Sequence, residues 1–165
     1  MTQRSFFWDG AVTGDADTYA PYHLGNEDYV SPFIDIVFRM IFQSTGNKGV
    51  LRGWLNELEP DTTAVATPVQ IDTGGALVYG MPYQNDPAVD VAIPNPTVDT
   101  RYDYIVLRRD WDAQTIRITR IAGVEGGSVP ELTQSPSPDG TGIYDIPLAT
   151  LSVTTGGVIV VTDAR

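Results

Sequence analysis

Two periods of apolar residues divide the chain. From Tyr29 to Phe42, Val30, Phe33, Ile34, Val37, Met40 and Ile41 recur near helical spacing and predict one helix. Ser31 and Pro32 supply an N-cap and a first-turn proline, and Gly46-Asn47-Lys48-Gly49 reads as the turn that ends it. Ile36, Phe38 and Phe42 add apolar surface on its other sides, so this helix is expected to be buried nearly all round or to pack against partner subunits.

From Thr67 the period becomes that of strands. Pro68 to Asp72 and Ala76 to Tyr83 flank Thr73-Gly74-Gly75, which predicts a hairpin, and Ala88 to Ile93 alternates up to Pro94-Asn95-Pro96. Tyr102 to Arg109 and Thr115 to Ile121 flank residues 110–114 and form the strongest hairpin signal. There Ile105, Leu107, Ile116 and Ile118 are expected on one face, with Arg108, Arg117 and Thr119 on the other. Gly123 to Gly142 reads as an exposed loop, and Ile143 to Val153 and Val158 to Val161 resume strand character around Thr155-Gly156-Gly157. The pattern therefore predicts a mainly β (α+β) fold, a compact antiparallel β-sandwich or barrel-like domain preceded by an N-terminal arm and one helix. Its expected division is 1–45 for the arm and helix, 46–66 for a connector, and 67–165 for the β-domain.

The opening of the chain changes this picture. Residues 1–26 are polar apart from Phe6, Phe7 and Trp8, three adjacent rings that cannot share one side of a strand. Together with Phe33, Val37 and Ile41 of the helix, and Trp111 further along the chain, they are candidate interface anchors, because large aromatics dominate association energies. The expectation is that residues 1–45 mediate assembly while the β-region folds independently.

At 165 residues, 42% hydrophobic and 19% charged, the chain has the make-up of one folded domain. A formal charge of -11 argues against nucleic acid as a partner, since phosphates would be repelled. The basic residues are uneven: Arg101, Arg108, Arg109, Arg117 and Arg120 fall close together, and none occurs from Gly53 to Thr100. The opposed fields of these regions can orient one copy against another, but the simpler expectation places the arginines on the wet face of a hairpin. No run is apolar enough for a secretory signal or a membrane span, so no membrane insertion is expected.

Candidate chemistry is sparse. The chain has no cysteine and one histidine, His23, which leaves little for thiolate or multi-imidazole metal sites and for histidine-relay triads. The pairs Glu57/Glu59, Asp110/Asp112 and Asp15/Asp17 lack the opposed geometry that glycoside hydrolysis needs. Residues 9–17 lack the order of a calcium loop, and no phosphate-binding glycine pattern occurs. No catalytic residue, metal or cofactor is therefore expected. Trp54, Tyr83 and Trp111 are candidate sugar-stacking rings if exposed, and Trp111 at a hairpin tip is the best of them.

Four stretches carry a resemblance. Ser5-Phe6-Phe7-Trp8-Asp9-Gly10, Tyr102 to Asp110 (YDYIVLRRD), Val129 to Gln134 (VPELTQ) and Ile143 to Ala149 (IYDIPLA), with the close Thr162-Asp163-Ala164-Arg165, are similar in order and spacing to a family of bacteriophage tail and baseplate proteins. The resemblance implies a virion structural protein without enzymatic activity, an oligomer with a trimer favoured, docked on other tail or baseplate proteins. A head or neck decoration or fibre protein is the nearest alternative. A carbohydrate-binding module that contacts a host surface glycan is a reading of another class.

Overall fold

The alternating segments of the sequence fold as strands that pair only with antiparallel neighbours. A computed structural model of the chain describes residues 3–5, 48–79, 81–135 and 142–165. The predicted helix, and with it Phe6, Phe7, Trp8, Phe33, Val37, Ile41 and His23, lies outside the described residues. The strands are β1 (Gln3–Ser5), β2 (Lys48–Leu55), β3 (Val69–Ile71), β4 (Gly74–Val78), β5 (Met81–Asn85), β6 (Val89–Val91), β7 (Arg101–Asp110), β8 (Thr115–Ala122), β9 (Ile143–Val153) and β10 (Ile159–Asp163). They form one sheet in the order β1-β5-β4-β2, a second in the order β10-β9-β7-β8, and a two-stranded ribbon of β3 and β6.

One hydrophobic cluster takes residues from all three sheets, among them Val69 and Ile71 of β3, Val78 of β4, Ile105 and Leu107 of β7, Ile116 of β8 and Leu151 of β9. Each fully buried aliphatic side chain contributes about 1.5–3 kcal/mol relative to exposure, so this shared core is what joins the sheets. As predicted, Ile105, Leu107, Ile116 and Ile118 face the core, while Arg108, Arg117 and Thr119 are half-buried on the opposite face.

Three expectations are corrected. The first TGG is not a turn between β3 and β4: β3 pairs with β6, and β4 turns back into β5 after Tyr79, whose φ is 51°. Gly74 is required for close packing instead, because a Cβ there would sit 2.1 Å from the Leu58 amide nitrogen. The second TGG does turn the chain, with the Thr154 N–H donating to Val158 O at 3.0 Å and Gly157 at φ 80°. The connector reading of 46–66 fails over 48–55, where the chain is strand β2 in the same sheet as β4. Lys48 and Gly49 thus open a strand rather than end a turn. In the stretch read as an arm, Gln3–Ser5 hydrogen-bonds along β5, so those residues belong to the edge of a sheet of the β-region.

Both long strands carry irregularities that aim side chains. Along β7 and β9, Ile105 lies opposite Ala149 and Val106 opposite Pro147, which leaves Leu148 as the extra, buried residue of a bulge. On β2, Val50 pairs with Ala76 and Leu55 with Gly74, so residues 51–54 stand off the sheet opposite Gly75 alone.

Candidate functional site

Sequence alternation places Arg101, Asp103 and Arg109 on the same side of β7 as Ile105 and Leu107, facing inward. A buried charge is tolerated only with partners that replace water, and each of these has them. The Asp103 carboxylate is fully buried and accepts Arg101 Nε at 2.7 Å, Arg101 Nη2 at 2.9 Å, Arg120 Nη1 at 2.9 Å and the Gly123 N–H at 3.0 Å. Burial pushes the Asp103 carboxyl up, but the hydrogen bonds from Arg101, Gly123 and Arg120 outweigh it and hold it below its ordinary value. Arg101 also donates to Pro94 O at 2.7 Å, fixing the entry of the chain into β7. The arginines expected on a wet face are therefore struts: Arg101 and Arg109 are buried, and Arg108, Arg117 and Arg120 half-buried.

A second carboxylate performs the same task on the other face of that sheet. Asp145 on β9 is fully buried and accepts Arg108 Nε at 2.8 Å and Nη2 at 3.0 Å from β7, plus the Thr133 N–H at 3.0 Å. Its own N–H donates to Thr133 O at 2.8 Å, and Gln134 Nε2 donates to its carbonyl at 3.1 Å. One residue thus ties β7, β9 and the segment 129–134 together. The Ala164 N–H donates to Leu148 O at 3.0 Å, and Arg165 clasps Asp163 and reaches Glu57 O at 2.8 Å, which adds the end of the chain to the frame.

At the other end of β7, Arg109 donates through Nη1 to Val78 O and Tyr79 O, each at 2.9 Å, and its guanidinium lies 4.1 Å over the Trp111 ring. Tyr79 meets Trp111 and Tyr144 edge-on, and Lys48 Nζ donates to the Tyr144 hydroxyl while lying over the Tyr79 and Tyr144 rings. Trp111 is only 6% exposed, which overturns its placement as an exposed ring at a hairpin tip and removes it as a surface anchor of the single chain. Tyr83, at 2%, is equally unavailable for stacking on a sugar.

Trp54 is the candidate ring that remains open. It and Leu55 are each 51% exposed at the protruding end of β2. Gly53, Leu55, Glu57 and Leu58 all have positive φ there, and Gly53 N donates to Glu57 Oε1 at 2.7 Å, so the protrusion is held by its own turn. Backbone strain of this kind is retained where a particular display is needed. The Trp54 indole lies against Gly75, where a Cβ would come within 3.0 Å of it.

Compared with known proteins, the chain matches no protein-family model, no curated protein and no solved structure.

Chemically, the frame stores charge without offering it. Four donors of the same chain reach the Asp103 carboxylate and three the Asp145 carboxylate, which suits positioning rather than proton transfer. No cluster of three or more His, Cys, Asp or Glu residues suited to a metal ion occurs among the described residues. Sequence reasoning missed Arg109 and the Arg101–Asp103 pair, although strict alternation from Ile105 and Leu107 pointed to both.

Proposed function

We propose that this chain is a non-enzymatic structural protein of a bacteriophage tail or baseplate, acting as an oligomeric adaptor that docks by protein–protein contacts. One observation carries the reading: Asp145 joins three of the four stretches that resemble that family. Arg108 comes from YDYIVLRRD, Thr133 and Gln134 from VPELTQ, and Asp145 itself from IYDIPLA. The closing TDAR stretch is hydrogen-bonded to Leu148 of the same set. Residues that serve a scaffold interlock in this way, and they leave the surface free for docking.

The same reading takes the two four-stranded sheets as the leaves of a β-sandwich around the shared core, and the N-terminal aromatics as part of the assembly apparatus. The exposed pair Trp54 and Leu55 supplies an apolar knob of the kind that anchors interfaces. The test is sedimentation velocity of the full chain, combined with rebinding to phage particles assembled without it. Assembly into a defined oligomer, or saturable rebinding, supports the proposal. A chain that stays monomeric at every concentration and rebinds nothing overturns it.

A further inference from the structure

The outer face of the sheet β10-β9-β7-β8 carries an uncharged patch. By register, two cross-strand rows lie there side by side: Tyr102–Ser152–Val160 and Tyr104–Thr150–Thr162. None of the six is charged, in a chain whose formal charge is -11. Tyr102 is 38% and Val160 60% exposed, and with Thr150, Ser152 and Thr162 they line a shallow groove of about 220 Å³.

We infer that this uncharged patch of two rows is the surface through which one copy of the chain meets the next. The inference rests on the reading of the protein as an oligomeric assembly component and names the contact it requires. Copies that each carry a large negative charge repel one another, so close approach is least costly where neither presents a charge. Interface cores are depleted in charged residues and enriched in tyrosine, which is the composition of these rows.

Charged side chains do lie beyond the two rows on this face. Arg108 and Asp145 form a closed ion pair there, and half-buried Arg117 lies opposite Arg108 on β8. At the start of β10 the Ile159 N–H is taken by Val65 O at 3.0 Å, which covers that end of the sheet edge.

The experiment uses the full chain and substitutes exposed positions of the rows: Val160→Asp, Val160→Arg and Thr162→Arg. Sedimentation velocity over a concentration series is expected to show self-association weakened by about a hundredfold or more in all three. Loss with both signs of charge separates burial of an unpaired charge from a change in net repulsion. Because the chain has no cysteine, Val160→Cys gives a second measurement that does not depend on the charged variants folding. Its thiol should label slowly with a maleimide in the oligomer and rapidly on dilution.

Unchanged association in the charged variants, or labelling of Val160→Cys at the free rate in the oligomer, overturns the inference while leaving the adaptor reading intact. The same holds if the unaltered chain is monomeric yet rebinds particles, or if Val160→Arg abolishes binding to host-wall polysaccharide without changing association. Only a chain that neither associates nor rebinds removes both.

Discussion

Arg101 and Asp103, two positions apart on β7, close on each other through two hydrogen bonds of 2.7 and 2.9 Å with both side chains withdrawn from solvent. Removing one partner of such a pair costs more than the pair itself contributes, because the other charge stays buried. Asp103→Asn is therefore expected to destabilise the fold by about 3–5 kcal/mol, measured by urea denaturation. A loss below about 1 kcal/mol contradicts the assigned role.

The same carboxylate sets a pH dependence. Its folded value lies below the ordinary 3.8, so the unfolded chain takes up the proton first as the solution is acidified. The stability it contributes is fully present above that ordinary value and is lost as pH falls through the lower, folded one. Asp61, Glu125 and Asp163 are also held low, chiefly by hydrogen bonds from Thr63, Thr97 and Arg165, but they are less buried and add less. Denaturation free energies between about pH 5 and pH 3 should fall less steeply for Asp103→Asn than for the unaltered chain. Parallel slopes would rule this out.

Arg109 holds the turn from β4 into β5 through Val78 O and Tyr79 O and covers Trp111. Arg109→Met keeps much of the volume but leaves both carbonyls without this donor, so about 2–4 kcal/mol of stability should be lost. Thermal unfolding followed by tryptophan fluorescence reads this directly, with a change in the folded-state emission as Trp111 loses its cation.

Trp54 is expected to behave in the opposite way. Its ring is half exposed, so Trp54→Ala should alter folding stability by no more than about 1 kcal/mol while weakening docking on the particle more than tenfold. Rebinding titrations together with a melting curve separate the two effects. Unfolding without any change in docking would assign Trp54 to the core.

The hairpin of β7 and β8 was legible because period-two alternation is a local signal, and it gave the inward faces of both strands. The pairing of β3 with β6 was not, since strands of three residues carry almost no pattern and their partner lies 18 positions away in sequence, from Ile71 to Val89. Arg109 was misplaced because its charge outweighed its parity. Without the Val78 and Tyr79 carbonyls in view, nothing marks a position where an inward arginine is satisfied. Trp111 was misplaced for a related reason, its cover coming from Arg109 and from Tyr79 in the distant turn between β4 and β5.

Because Asp145 meets Arg108 across two strands that are far apart in sequence, the frame also carries an order of events. The β7–β8 and β9–β10 hairpins close over short loops, whereas joining them through β7 and β9 requires a long loop to be closed first. Asp145 meets Arg108 only as that joining completes, and their bond is expected to form after the folding barrier. Arg108→Ala should then leave the refolding rate nearly unchanged and raise the unfolding rate about tenfold or more in stopped-flow denaturant jumps. The ion pair thereby acts as a latch that sets how long the folded chain persists rather than how fast it is reached.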